Sequence, residues 1–347
     1  MNYDDRMDFR EIATFDVQHG KLSWPWITFA ADARCAFATS QTTFETRLLQ
    51  EDGTLEVGPG FTLPEDLSLP ETVDGHGIRA FSLSRGAELL AVTGASADGS
   101  HVLVTLHASG EQRRARIDAL VGDGFRAEAV AFDRSGSRLW LSAESETETA
   151  LVLVDAVLLV SVGVVRSPAF PRPAIHELHL HPHDDAVLLL AAAGEEGTFA
   201  RVVGFAGDVV SSVPTELDSG SIAAGFVGFS ADGARVHLVE ADELRTHAWP
   251  ILHELSSVEL ADDFVSSFSG AVFRDHILID GEDAESREDA VMDFDRSATR
   301  GVLLPGPAPR GMWAGRLGSD VIITVESKGD PSLARALRCT IARALLD

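Results

Sequence analysis

A short turn rich in Asp, Gly, Ser and Arg, with an apolar segment on either side, recurs seven times along the chain. The seven turns are Ala31–Arg34, Ser84–Gly86, Asp133–Gly136, His181–Asp185, Ser230–Gly233, Arg274–Asp275 and Arg316–Asp320. Their separation of roughly 43 to 53 residues lies in the range in which self-similarity indicates propellers and other repeat arrays. The repeat therefore overrides the expectation of two domains that a length of 347 residues would otherwise suggest.

The unit around the third turn shows the strand order most clearly. Residues 128–132 form a short apolar strand, and residues 138–143 alternate as a second strand after the turn. Polar residues 144–148 then lead into two further apolar strands within 150–165. A four-stranded antiparallel sheet has two apolar faces, so neighbouring sheets must stack around an axis to bury both.

The sequence therefore predicts an all-β fold, a single seven-bladed β-propeller domain over residues 1–347 with four-stranded antiparallel blades. A pair of β-sandwiches is the main competing interpretation, but it does not require a period of about 48 residues. The predicted blades span approximately 22–60, 78–120, 128–165, 175–213, 222–260, 264–304, and 311–347 together with 8–16.

Two segments carry a resemblance to a known family. Gly228–Val236 and Val130–Leu139 are similar to the "vxFSpDGxxL" core of WD40-type and related bacterial propeller repeats. The Trp-Asp dipeptide and a recurring Gly-His signature are missing, so the chain resembles a divergent, WD40-like propeller. The resemblance extends over most of the chain and implies the fold, not an activity.

The two ends of the chain are expected to meet in the last blade. Residues 8–15 alternate as a strand and precede the first full unit, so we expect segment 8–16 to form the outer edge of that blade and close the ring. Residues 332–346 are ambiguous, because Leu333, Leu337, Ile341 and Leu345 also fall at helical spacing. A strand is the favoured interpretation.

The formal net charge of −26 comes from 54 acidic and 28 basic residues. A surface this negative repels phosphate backbones, so we expect no nucleic-acid partner. Met1–Arg6 lacks the pattern of a leader, and the apolar run 150–165 is too short and too interrupted by Asp155 to span a bilayer. With Cys35 and Cys339 as the only cysteines, we expect a cytoplasmic protein without a membrane partner.

The turns between second and third strands concentrate acidic residues. Because these turns open on one face of a propeller, we predict a strongly acidic face that binds partner proteins. Its residues are Glu144, Glu146, Glu148, Glu195, Glu196, Glu240, Asp242, Glu243, Glu282, Asp283 and Glu285.

The turns between first and second strands carry arginines and open on the opposite face. They are Arg34, Arg85, Arg134, Arg235, Arg274 and Arg316. A ring of guanidinium groups could dock an acidic segment, since arginine pairs well with carboxylate and phosphate. The competing explanation is that these arginines are simply exposed turn residues, and the acidic face is the firmer prediction.

The densest metal-like pattern is the histidine cluster of the fourth unit. Alternation places His179 and His181 on one strand face, where two imidazoles could meet a cation such as zinc. The same residues occupy the place of the repeat's ordinary turn, so a structural turn is favoured and no metal or other cofactor is predicted.

No catalytic residue is predicted. The chain has neither a Gly-x-Ser-x-Gly elbow nor a phosphate-binding Gly-x-x-x-x-Gly-Lys segment. The favoured function is a bacterial, non-catalytic scaffold for protein–protein interaction, which presents its acidic face to one or more proteins. The alternative is an enzyme or a small-ligand or metal sensor, with a site in the central channel built from Glu128, His176, His179 and Arg316.

Overall fold

A computed structural model gives the fold of most of the chain. The residues it describes are 7–18, 27–40, 42–68, 80–171, 174–217, 224–240, 242–273, 276–286, 289–295, 301–303, 312–317, 321–327 and 336–346. Antiparallel strands dominate, as the sequence predicts. In this part of the chain no helix has the length and apolar character that crossing a membrane requires.

The strands fall into consecutive groups, numbered here as sheets 1 to 7. β1 (Met7–Gln18) opens the chain and belongs to sheet 7. Sheet 1 comprises β2 (Ile27–Phe29), β3 (Arg34–Ala38), β4 (Thr43–Leu49) and β5 (Leu55–Thr62). Sheet 2 comprises β6 (Leu67–Ser68), β7 (Phe81–Leu83), β8 (Leu89–Ser96), β9 (His101–His107) and β10 (Gln112–Arg116), followed by the short helix α1 (Ile117–Val121).

The middle of the chain forms three regular sheets. Sheet 3 comprises β11 (Arg126–Phe132), β12 (Arg138–Glu144), β13 (Glu148–Asp155) and β14 (Ser161–Pro168). Sheet 4 comprises β15 (Ile175–Leu180), β16 (Ala186–Ala192), β17 (Thr198–Ala206) and β18 (Val209–Val213). Sheet 5 comprises β19 (Ala224–Phe229), β20 (Arg235–Glu240), β21 (Glu243–Ala248) and β22 (His253–Glu259).

The last two sheets complete the series. Sheet 6 comprises β23 (Phe264–Phe273), β24 (His276–Asp283), β25 (Asp289–Asp295) and β26 (Gly301–Leu303). Sheet 7 comprises β27 (Met312–Leu317), β28 (Val321–Ser327) and β29 (Ala336–Leu346) in addition to β1. Six of the sheets are four-stranded antiparallel blades, so the prediction of seven such blades is wrong.

Sheet 2 departs from the prediction of a four-stranded blade within 78–120. It has five strands, because β6 and β7 both pair with β8. β7 pairs with Leu90–Val92, and β6 pairs with Ala95 and Ser96 farther along the same strand. The innermost position of this sheet is therefore shared by two short strands, and the sheet begins at residue 67 rather than 78.

Sheet 7 joins the two ends of the chain. β1 runs antiparallel to β29, with Met7 opposite Leu346 and Gln18 opposite Ala336. β29 pairs on its other side with β28, so segment 336–346 is a strand despite its helical spacing of leucines. Two flanking strands pair with its backbone along most of its length, and a helix at this position would leave the facing edges of β1 and β28 unpaired.

One turn geometry recurs in sheets 2 to 5. In each case the N–H of the first turn residue donates to the carbonyl oxygen of the sixth, at 2.9 to 3.0 Å. The first residues are Ser84, Asp133, His181 and Ser230, and they lie 49, 48 and 49 positions apart. The fifth residue of each turn accepts a second backbone bond from the end of the third strand, at 2.8 to 3.0 Å. The sequence repeat is thus a repeat of one hydrogen-bonded turn.

The core lies between neighbouring sheets, as β12 illustrates. Leu139 and Leu141 pack in one cluster with residues of sheet 2, whereas Trp140 packs with Val187 and Leu189 of sheet 4. All three β12 side chains are buried, because alternate residues of a strand face opposite neighbours. Each leucine buried in this way contributes about 1.5 to 3 kcal/mol, so a sheet with two apolar faces is stable only between two others.

Candidate functional site

The structure separates the predicted acidic residues by exposure. The exposed residues are Glu146, Glu195, Glu196, Asp242 and Glu285. The half-buried residues are Glu148, Glu243, Glu282 and Asp283. These two groups retain carboxylates at the turns of sheets 3 to 6.

Glu144 and Glu240 do not belong to an exposed face. Their exposed fractions are 2% and 6%, because they are the last residues of β12 and β20 and still lie among neighbouring elements. These two members of the predicted acidic set are therefore not exposed side chains.

Arginines from neighbouring strands neutralise part of the remaining acidic charge. Arg245 lies 3.1 Å from Glu240, 2.9 Å from Glu243 and 3.5 Å from Glu254. Hydrogen bonds from Ser257 and Arg245 lower the pKa of Glu243. The negative charge of the predicted acidic face is thus partly neutralised at sheet 5.

An acidic cleft remains at the turn between β12 and β13. Its walls come from two segments. The turn 145–148 forms one wall, and residues 122–125, which follow α1, form the other. The cleft has a volume of about 530 Å³ and contains the exposed residues Asp123 and Glu146. Glu148 also lines it but pairs with Arg166 at 3.0 Å. Among the described residues neither Asp123 nor Glu146 forms an ion pair, which leaves two carboxylates facing solvent.

The predicted arginines of the opposite turns have mixed surroundings. Arg85, Arg134 and Arg235 are exposed, whereas Arg34 is half-buried and pairs with Asp32. Arg274 and the side chain of Arg316 lie outside the described residues. The structure therefore supplies three exposed guanidinium groups for this face and no continuous arginine ring within its described part.

His181 is part of a structural turn and does not offer a free metal ligand. Its Nδ1 accepts the backbone N–H of Asp184 at 2.8 Å, so the neutral ring carries its hydrogen on Nε2 and donates it to the carbonyl oxygen of Gly233, 2.8 Å away. The ring also stacks on Trp249. Both ring nitrogens of His181 are therefore engaged in hydrogen bonds within and between turns.

His179 makes different contacts. Its Nε2 lies 3.0 Å from a carboxylate oxygen of Glu177, and its ring stacks on Phe226 with centroids 3.7 Å apart. The described residues contain no group of three or more metal-ligating side chains. The structure thus uses this histidine in contacts between sheets 4 and 5.

The channel candidates are not gathered into one described site. His176 is buried, and its Nδ1 lies 2.6 Å from the hydroxyl of Ser142 in sheet 3. Glu128 lies 3.6 Å from Arg126 on its own strand. The sequence pattern singled out His176 but gave no reason to pair it with Ser142, because that contact depends on how sheets 3 and 4 pack.

Arg201 is the residue of greatest chemical interest that the sequence did not indicate. It lies in β17 within the apolar run Thr198–Val203, and its guanidinium stacks 4.1 Å over the ring of Phe170. A single cation inside an apolar strand was the available signal.

Together, these sheets and turns define a β-propeller with four-stranded antiparallel blades. No protein-family model matches the chain, and no curated protein matches it in sequence. Solved structures do match its fold. Their sequence identities to this chain are so low that the likeness concerns the fold alone.

Three of these structures match nearly the whole chain. A chain of the Mitotic Checkpoint Complex matches with a TM-score of 0.58 and 9% identity, over 96% of this chain and 95% of that chain. The β-propeller domain of Myceliophteria thermophila Cps50 (Swd1) matches with a TM-score of 0.56 and 12% identity, over 97% and 99%. The WD40 domain of SCAP from fission yeast matches with a TM-score of 0.51 and 9% identity, over 98% and 90%. The fold neighbours thus include WD40 propellers.

Proposed function

We propose that this protein is a non-catalytic, cytoplasmic scaffold that binds partner proteins through acidic turns on one face of a propeller. We also propose that sheets 1 to 7 form one domain and one closed ring. The pairing of β1 with β29 and the contact of β2 with β27 support closure, because they link the first and last sheets.

The acidic cleft of sheet 3 is the observation that carries the proposed function. Asp123 and Glu146 present two exposed carboxylates in a concave surface of about 530 Å³. Concave sites lined by a few oriented polar groups are where ligands generally bind. Exposed acids at the corresponding turns of sheets 4 and 5, Glu195 and Asp242, extend the same charge beyond the cleft.

The chemistry of this surface favours a partner segment rich in lysine or arginine. A basic side chain entering the cleft would meet unpaired carboxylates without displacing an existing ion pair. Charge complementarity of this kind raises association rates and specificity more than affinity. The scaffold interpretation also agrees with a fold shared with WD40 propellers, although a fold alone does not fix a function.

The test compares two variants that lose the same number of carboxylates. The cleft variant carries Asp123→Asn, Glu146→Gln, Glu195→Gln and Asp242→Asn. The control variant carries substitutions of exposed acids on the turns of the other edge, Glu51→Gln, Glu88→Gln, Glu111→Gln and Asp208→Asn. Proteins captured from cells by the unaltered chain are quantified for both.

A specific partner that is lost with the cleft variant and kept by the control variant is the expected result. If both variants lose the partner, binding depends on the net charge of the protein and not on the cleft. If both variants keep the partner, the acidic turns are not part of the interface. Capture of no protein by the unaltered chain would instead favour the alternative function, an enzyme or ligand sensor with its site in the channel.

A further inference from the structure

A small cavity lies between sheets 3 and 4, behind their outer strands. Its volume is about 50 Å³, and its polar lining comes from Thr149, Arg166 and Ser167 in sheet 3 and from Arg201 and Ser212 in sheet 4. Leu151 and Val203 contribute apolar surface beside these groups. The cavity is separate from the acidic cleft, since Arg166 is the one residue that lines both among those described.

Strand register explains why these side chains converge. Thr149 is paired with Ser167 across β13 and β14, so both point to the same face of sheet 3. In sheet 4, Val203 is paired with Ser212, and Arg201 lies two positions before Val203 on the same face. The guanidinium and three hydroxyls therefore face one space from two opposing sheets.

Arg201 has hydrogen-bonding capacity to spare in this cavity. Its Nη2 donates to the carbonyl oxygen of Pro168 at 3.0 Å, which fixes the side chain in place over Phe170. Its Nη1 is buried and finds no acceptor within the described part of the chain, and the buried hydroxyl oxygen of Thr149 has no partner there either. A buried donor without an acceptor costs about 1 to 3 kcal/mol, and more when it is charged.

The charge of Arg201 is only partly compensated. Burial lowers the pKa of its guanidinium, and the nearby carboxylate of Glu144 offsets part of that effect without reversing it. An anion in the cavity would restore the balance, because guanidinium and hydroxyl donors together are well suited to carboxylate oxygens.

We propose that this cavity binds a carboxylate group, with Arg201 as the charged donor and Thr149 as a hydroxyl donor. The volume admits a group of acetate size, and Leu151 and Val203 suit its methyl or methylene side. The carboxylate belongs either to a free small acid or to an acidic side chain of a bound peptide. The inference does not rest on the proposed function, which concerns basic segments and the carboxylates of Asp123 and Glu146.

The experiment measures binding by the full chain with four probes, using saturation-transfer NMR on the probe protons at constant ionic strength. Acetate and acetamide form one matched pair. A blocked Gly-Asp-Gly peptide and its Asn counterpart form the other. We expect binding of the carboxylate member of at least one pair and at least about tenfold weaker binding of its amide, since the amide lacks the charge.

Variants locate the binding in the cavity. Arg201→Gln should weaken binding about tenfold to a hundredfold, as expected for loss of a charge-assisted hydrogen bond. Arg47→Gln is the matched control, because Arg47 also lies in a third strand and stacks on an aromatic ring, Phe37, but pairs with Glu45 at 2.9 Å. If Arg201→Gln does not fold, Thr149→Val keeps the guanidinium and should still weaken binding severalfold.

Each outcome decides the proposal. Binding of acetate without the peptide identifies a free acid as the ligand, and binding of the peptide identifies an acidic side chain. Equal signals from carboxylates and amides, or carboxylate binding unchanged by Arg201→Gln and Thr149→Val, would overturn the proposal. The cleft variant described above leaves this cavity intact, so failure of one proposal is distinguishable from failure of the other.

Discussion

The imidazole of His181 donates a hydrogen bond from Nε2 to the carbonyl oxygen of Gly233, 2.8 Å away across the boundary between sheets 4 and 5. His183 repeats the contact at 2.7 Å with the carbonyl oxygen of Ala231 in the same turn. The histidine cluster therefore fastens one recurring turn to the next. This role explains why the turn of sheet 4 begins with His181, whereas the equivalent turns of sheets 2 and 5 begin with Ser84 and Ser230.

Replacing Gly233 by alanine should destabilise the protein by about 2 to 4 kcal/mol. Gly233 has a φ of +71°, which disfavours any side chain, and an added Cβ would lie 2.6 Å from Nε2 of His181. Thermal and urea unfolding followed by circular dichroism would measure the loss.

Gly99→Ala is the matched control for this substitution. Gly99 has a φ of +81° but nothing within 4 Å of an added Cβ, so its replacement costs only the backbone term of about 1 to 2 kcal/mol. Equal losses in the two variants would show that the contact between His181 and Gly233 contributes little to stability.

Asp133 should tolerate replacement by serine better than replacement by alanine. Its buried carboxylate accepts the backbone N–H of Arg138 at 3.2 Å and the Nε–H of the same residue at 2.9 Å. In the equivalent turn of sheet 5, the hydroxyl of Ser230 accepts the corresponding N–H of Arg235 at 3.0 Å. Serine at 133 can therefore keep the backbone bond, which alanine cannot.

We expect Asp133→Ala to lower the free energy of unfolding by about 2 to 3 kcal/mol and Asp133→Ser by roughly 1 kcal/mol less than that. Urea titrations of both variants at pH 7 test the difference. Indistinguishable midpoints would show that the backbone bond is not the stabilising part of this turn.

The period of the repeat was sufficient to predict the strand order, and the turns at Asp133 and Ser230 lie where it placed them. The extra strand of sheet 2 was not predictable in this way. β6 has only Leu67 and Ser68, too few residues to show an alternating pattern, and it is defined by pairing with residues that lie far along the chain. Short strands of this kind depend on tertiary contacts.

The candidate sites show the same limit. The sequence predicts which turns carry acidic residues. It does not predict the burial of Glu144, which depends on where β12 ends and on the neighbouring sheet. Arg201 was overlooked because its importance comes from a cavity between two sheets, to which Thr149 contributes from a separate part of the chain. Such convergence has no local sequence signal.

Cys35 should be inert toward thiol reagents in the folded protein. The side chain is fully buried, and burial raises the pKa of its thiol to about 12, so the reactive thiolate is almost absent at pH 8. In a Cys339→Ser variant, labelling by a disulfide reagent should be about a thousandfold slower than for free cysteine until denaturant is added. Rapid labelling without denaturant would show that sheet 1 opens readily.

Sheet 5 should lose stability when the pH falls from 7 to 5.5, because it buries a neutral histidine. Burial, with a smaller effect from the cation Arg235, lowers the pKa of His237 to about 4, and its Nδ1 lies 3.0 Å from the hydroxyl of Thr246. Since an unfolded histidine titrates near pH 6.5, the unfolded chain binds a proton between pH 6.5 and 4 that the folded chain excludes. The stabilisation by this group is thus present above pH 6.5 and is lost as the pH falls toward 4.

The expected loss between pH 7 and 5.5 is about 1 kcal/mol for His237, and His247, whose pKa burial also lowers, adds to it with the same sign. Urea unfolding at the two pH values measures the change, and His237→Gln serves as the control because glutamine keeps a polar group near Thr246 without titrating. Acid also relieves charge repulsion in a chain of net charge −26, and it does so in both proteins. The contribution of His237 is therefore the difference between the stability losses of the unaltered chain and of His237→Gln. If the variant loses as much stability as the unaltered chain, His237 already binds its proton in the folded state and the burial argument fails.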